Sequence, residues 1–174
     1  MLIASQRNGD CPETLIILNR GIKIGETAGS LYHHTPMSDL STLQKVFKGD
    51  LVTPEHPDYG DAINRWARNA TRRAKVVAFV KDANDVALAL QYAKINDVPI
   101  AIRSGGHSSA GTSSVEDGLV IDLSRYLNLV TVDAEKRLAY IGGGTLWRTV
   151  DYSCIQHGLA AVAGTVNHVS LLLS

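Results

Sequence analysis

The sequence lacks an excess of either charge: 17 Lys+Arg stand against 17 Asp+Glu, for a formal net charge of zero. A nucleic-acid binder usually carries a strong basic surplus, so that class is disfavoured. Cysteine is scarce, with two residues, Cys11 and Cys154, far apart in the chain. They make neither a disulfide framework nor a zinc pattern. No apolar run is long enough to span a membrane. Neither Met1 nor Met37 opens a signal peptide, so the cytoplasm is the default compartment. No internal repeat or low-complexity tract is visible. Asn69-Ala70-Thr71 is a formal glycosylation sequon, without meaning in a cytosolic chain. What is present is an ordinary globular composition, 45% hydrophobic and 20% charged. A chain this long buries roughly 70% of its unfolded surface around one core.

Residues 1–36 show no clear period and read as an N-terminal extension ahead of Met37, although Leu15 to Leu18 form a short apolar run. Residues 37–72 read as a helical lead-in. Ser38 or Asp39 can cap a helix running to about Lys48, which Gly49-Asp50 stops. Pro54, Pro57 and Gly60 then mark an extended loop. Residues 61–73 read as a second helix with Ile63, Trp66 and Ala70 on one side. Arg65, Arg68, Arg72 and Arg73 make that helix basic; such a run is usually a solvated face, and a role in meeting a phosphate is the less favoured alternative.

Val76 to Val80 is a continuous apolar run, as in a strand buried on both faces. Asp82 caps a helix marked by Val86, Leu90 and Ala93, which Asn96-Asp97 ends and Pro99 cannot continue. Ile100 to Ile102 is a second short buried strand, so the stretch is a βαβ unit with parallel strands. Leu119 to Leu123 gives a third strand. Leu129 to Asp133 and Leu138 to Ile141 alternate around a four-residue turn, an antiparallel hairpin. Gly142-Gly143-Gly144 leads to a helix capped by Thr145. Its stripe runs through Leu146, Trp147, Val150, Cys154 and Ile155, and Gly158 ends it. On that stripe Cys154 reads as core rather than reactive. His33, His34 and His157 have no acidic or cysteine partner at metal spacing, so no metal site is expected.

Ligand loops in such sheets lie beyond the carboxyl ends of the strands. There the sequence places Arg103-Ser104-Gly105-Gly106-His107-Ser108-Ser109-Ala110-Gly111. Consecutive glycines let a backbone approach a ligand and turn N–H groups inward around an anion. Ser104 and Ser108 add hydroxyls and Arg103 adds charge, so pyrophosphate is the natural guest. A flexible turn with a surface histidine is the plainer alternative; the position at a strand end and the flanking residues weigh against it. No Gly-Lys-Ser/Thr occurs, and no helix follows the glycines, which excludes the two common nucleotide loops. Gly106-His107-Ser108-Ser109-Ala110 also nearly matches a nucleophile elbow with Ser108 as nucleophile, but the residues after it are poor helix formers. A hydrolase is therefore the minority reading.

Val77 to Lys81, Pro99 to Ser108, Gly118 to Ser124, Gly142 to Trp147 and His157 to His168 together carry a resemblance. The stretch from about Arg73 to His168 resembles the first half of the FAD-binding domain of the vanillyl-alcohol oxidase and p-cresol methylhydroxylase superfamily. Within it, the berberine-bridge-enzyme-like oxidoreductases, particularly fungal ones, are most similar. Counted from a weak start near Met37, the likeness covers about four fifths of the chain. The resemblance implies an α+β fold: a parallel βαβ layer followed by the start of an antiparallel layer, incomplete, with residues 73–174 as the N-terminal part of the FAD-binding domain. It implies that Arg103, Ser104, Gly105, Gly106, His107, Ser108 and Gly111 hold the FAD pyrophosphate, and that Gly164, Thr165, Val166 and His168 line the flavin. It further implies a covalent bond from His107 to the flavin 8α carbon. Some relatives have a second bond through a cysteine at the position of Val166, so one link at most is expected here.

After Val166-Asn167-His168, relatives of this kind continue with a Gly-rich run, whereas this chain has Val169-Ser170-Leu171-Leu172-Leu173-Ser174. The expectation is an FAD-dependent oxidoreductase fragment lacking the substrate domain, which takes a hydride from an alcohol, sugar or similar small molecule in its full-length relatives. Such a chain alone is expected to bind FAD weakly or not at all and to be inactive. The alternative is a non-catalytic remnant or interaction module. Exposed apolar surface where further strands would pack predicts self-association.

Overall fold

The computed structural model describes residues 14–18, 39–162 and 164–170. Cys11, His33, His34, Met37 and Ser38 lie outside the described residues. The elements in chain order are β1 (Thr14–Leu18), α1 (Leu40–Val46), β2 (Asp50–Val52), α2 (Tyr59–Ile63), a 3-10 turn (Arg68–Ala70), β3 (Val76–Phe79), α3 (Ala83–Ile95), β4 (Ile100–Arg103), β5 (Leu119–Asp122), β6 (Val130–Asp133), β7 (Leu138–Ile141), α4 (Trp147–Ile155) and β8 (Ala160–Ala161).

Two four-stranded sheets result. The first runs β2-β3-β5-β4, with β3, β5 and β4 parallel and β2 antiparallel at one edge. All four residues of β3 and all four of β5 are buried, as continuous apolar runs in a covered parallel sheet should be. One face packs on α1 and α3 through Leu43, Phe47, Leu88 and Ala89; the other packs on Tyr59, Ala62 and Ile63. The second sheet runs β6-β7-β1-β8. Its β6–β7 pair is the expected antiparallel hairpin, but β1 pairs in parallel with both β7 and β8, so this layer is mixed. On it α4 buries Trp147, Val150 and Cys154 against Ala139, Ile141 and Leu159.

Several local expectations need correction. Residues 61–73 are not one helix: α2 stops at Ile63, Asn64 is extended, and only the Arg68–Ala70 turn follows. The break lets Arg65 turn inward to the Ser113 carbonyl rather than lie on a solvated face. Trp66 is 72% exposed instead of sharing an apolar side with Ile63. The short strand β2 occupies residues read as a helix stop and loop. Strand β4 is not buried on both faces, because it is an edge: Ile100 and Ile102 are exposed and only Ala101 turns into the core. On the helices, Leu90 and Ile155 are exposed rather than part of the buried stripes.

Asp82 caps α3 as expected, accepting from the Asp85 N–H at 3.0 Å. Asp85 itself is fully buried. It accepts from the backbone N–H groups of Lys48, Gly49 and Lys81 at 3.0, 3.0 and 2.9 Å, so one carboxylate fastens the chain before β2 to the start of α3. Thr145 does not cap α4. The N-cap position is Leu146, without a side-chain bond. The first N–H groups of the helix donate instead to backbone: Trp147 N–H to Val169 O at 3.0 Å and Arg148 N–H to Asn167 O at 2.8 Å. Those bonds bring residues 167–169 onto the end of α4 that faces the β4 loop.

Candidate functional site

The loop after β4 is held from three sides. The Ser104 hydroxyl is buried and donates to Gly143 O at 2.5 Å, joining this loop to the glycine stretch before α4. The two ends of that stretch must be glycine: a Cβ would stand 2.3 Å from Leu127 O on Gly142 and 2.1 Å from Leu123 O on Gly144. At Gly105 a Cβ would stand 3.0 Å from Leu146 Cδ2 and 3.2 Å from Ser170 Cβ, so the loop already rests on the segment around α4. On the third side the Trp66 N–H donates to Gly106 O at 3.3 Å. Gly106 has φ +71, a conformation that glycine adopts without the strain a Cβ brings.

Beneath Gly106 lie two guanidiniums. A Cβ there would be 3.2 Å from both Arg103 Nε and Arg65 Cδ. Arg65 is 5% exposed. It donates to Ser113 O through Nε at 3.1 Å and Nη2 at 2.8 Å, and to Ala62 O and Asn64 O through Nη1. Burial, with the neighbouring Arg103 charge, lowers its pKa to about 10, against a smaller opposing pull from Asp122. It therefore keeps its charge at neutral pH. Arg103 pairs with the fully buried Asp122 at 2.9 Å and also donates to Ala62 O. Two cations and one carboxylate leave a net positive charge under the loop. Arg103 Nε, Ser113 Oγ, Ser114 Oγ and Thr145 Oγ1 are buried without a hydrogen-bond partner among the described residues.

His107 sits above this cluster, half-buried. Its ring stacks on Trp66, with centroids 5.8 Å apart and planes at 27°. Burial holds its pKa below the ordinary value, and the His168 charge adds to that effect. The His168 charge is felt at His107, and Ser170 lies by Gly105. The other expected flavin-lining residues are placed less directly: Gly164 lies against Trp147, while Thr165 and Val166 are exposed beside it. Gly111 packs on Ala70.

The chemistry expected of three side chains changes. The Ser104 proton is given to Gly143, so its hydroxyl ties loops together. Arg103 offers Nη1 to Asp122, so it acts from below. Ser108 Oγ accepts from Thr112 Oγ1 at 2.9 Å, and residues 109–113 form turns rather than the helix of a nucleophile elbow. The geometry gives Ser108 none of a hydrolase's machinery. The sequence marks Arg65 only as one of a basic run and does not single out Trp66; the burial of the first and the exposure of the second both depend on the break after Ile63.

Residues 74–171 match the family described as FAD binding domain. The chain is 37% identical over 123 residues to an uncharacterized FAD-linked oxidoreductase, YgaK, of Bacillus subtilis, covering 71% of this chain and 27% of that protein. It is 32% identical over 127 residues to (R)-6-hydroxynicotine oxidase of Paenarthrobacter nicotinovorans, covering 73% of this chain and 27% of the relative. Among solved structures, 6-hydroxy-D-nicotine oxidase from Arthrobacter nicotinovorans superposes with a TM-score of 0.69 at 31% identity, over 79% of this chain and 28% of that one. A BBE-like protein of Physcomitrella patens superposes equally well, at 0.69, with 20% identity over 76% of this chain and 29% of that one, a likeness of fold alone. The chain therefore spans less than a third of the length of these proteins.

Proposed function

Because the chain belongs to the FAD binding domain family, we propose that it is the cofactor-holding part of an FAD-dependent oxidoreductase, with the pyrophosphate on the Ser104–Ser108 loop and one covalent tether through His107. The observation that carries this reading is the loop itself. Gly106 stands at φ +71 over two guanidiniums and one carboxylate, and the Arg103 Nε–H beneath it has no partner among the described residues. A buried positive surplus under a glycine backbone suits a dianionic phosphate pair. When bound, flavin supplies the acceptor for a hydride taken from an alcohol, sugar or similar small molecule.

The chain's own residues do the rest. Arg65 and Arg103 supply the field, and Gly105 and Gly106 let the backbone come close. His107, with its pKa held down, keeps a neutral imidazole at physiological pH, and a neutral ring nitrogen is the nucleophile a tether needs; the new bond would replace a C–H bond at the 8α carbon, with the two protons released to solvent and the two electrons taken up in air by dioxygen. Val166 stands where a second tether would require cysteine, so the link is single. His168, whose charge reaches His107, and exposed Thr165 are offered to the flavin side.

Titrating the 174-residue chain with FAD tests this. The sequence alone leads to the expectation of weak or no binding, but the loop is assembled by contacts within the chain, so measurable binding is expected, displaced by inorganic pyrophosphate. Gly106→Val should weaken it by about tenfold or more through the φ and the crowding on Arg65 and Arg103. Equal affinity of the wild type and Gly106→Val would sink the assignment of the loop.

A further inference from the structure

We propose that Trp66 is a positioning residue for His107, its indole holding the imidazole in one orientation at the mouth of the loop. This rests on the reading of His107 as the tether and deepens it. Trp66 is unusual for so large an apolar side chain, since 72% of it is exposed. Its backbone is nevertheless fixed. The Trp66 N–H donates to Gly106 O, and the residue before it, Arg65, is buried and bound to the carbonyls of Ser113, Ala62 and Asn64. A ring carried on a pinned backbone, stacked on its neighbour at 5.8 Å and 27°, restricts that neighbour's side-chain torsions.

The stack also covers part of the imidazole. Two effects of that cover oppose each other. An indole face attracts an imidazolium, which favours the charged form. Removing water from the ring disfavours it. The His107 pKa is lowered, with burial as the first cause, so loss of water wins. The His168 charge acts in the same direction; Arg65 and Arg103 lie against Gly106, and Asp122 is paired with Arg103. Trp66 thus holds the ring both oriented and neutral.

The test uses the full chain with Trp66→Ala, Trp66→Phe and, as a control that removes another exposed apolar group, Leu129→Ala, which is 75% exposed. Without any flavin, NMR titration of the histidines should show His107 moving toward its ordinary value in Trp66→Ala and staying in place in Trp66→Phe and Leu129→Ala. With FAD, the rate of covalent incorporation should fall about two- to thirteenfold in Trp66→Ala, the range to which an aromatic pair's contribution converts. Trp66→Phe should restore most of it. An unchanged His107 titration in Trp66→Ala overturns the proposal, as does an equal loss in Trp66→Phe. A urea midpoint for Trp66→Ala far below wild type also overturns it, because Trp66 would then be holding the fold. If wild type takes no FAD, the tether reading fails while the flavin-free titration still judges this one.

Discussion

Replacing Asp122 by Asn separates the stability of the fold from the charge of the site, because it moves them in opposite directions. Asp122 Oδ2 accepts from Arg103 Nη1 at 2.9 Å; Oδ1 accepts from the Ser124 N–H at 2.8 Å and its hydroxyl at 2.6 Å. An amide has one oxygen, so it keeps one side and turns an NH2 group against a donor on the other. Removing one partner of a buried ion pair costs about 3–5 kcal/mol. The Arg103 side chain is 19% exposed, so partial hydration places the cost near the lower limit, about 3 kcal/mol. For a chain of this size that is a fall of about 6–12 °C in Tm. Thermal and urea unfolding read it, and Arg103→Met with Asp122→Asn should recover part of the loss, since the two are coupled. At the loop the same change removes the carboxylate that offsets two guanidiniums, so affinity for pyrophosphate should rise while stability falls. A loss below about 1 kcal/mol, or pyrophosphate affinity falling along with stability, would refute the charge balance drawn here.

Asp85→Ala removes the acceptor of three backbone N–H groups, and should cost about 3–6 kcal/mol in urea unfolding, whereas Asp85→Asn keeps one oxygen and should cost about half that; equal losses would contradict the three-bond account. Edge strand β4 exposes Ile100 and Ile102, so the chain should self-associate in sedimentation experiments, and Ile100→Lys with Ile102→Lys should reduce it. Association unaffected by both substitutions would place the contact elsewhere.

The parts of the fold visible in the sequence are those whose burial is local and continuous. Val76 to Phe79 and Leu119 to Asp122 are covered on both faces, so their runs are plain. The hairpin from Val130 to Ile141 declares itself by alternation around a turn. Strand β2 did not, because its three residues make sense only beside β3, and β4 was misjudged because an edge strand with two isoleucines looks in sequence like an interior one. The loop at residues 103–108 was legible through its glycines and its place after a strand, and the family through several separated motifs. The partners beneath the loop were hidden. Arg65 is buried by a carbonyl 48 residues away, a contact no local spacing records. Ser104 reads in sequence as a ligand hydroxyl, but in the fold it donates to Gly143 O, 39 residues away. Trp66 shares a side with Ile63 and Ala70 only in a helix that continues past Ile63, which α2 does not.

Peptide mapping locates the single nitrogen that the tether would use. After incubation with FAD, denaturation and proteolysis, the flavin should travel with the peptide that contains His107 and with no other. His107→Ala should bind FAD and release all of it on denaturation. Flavin freed completely from the wild type, or recovered on a peptide lacking His107, would contradict the tether.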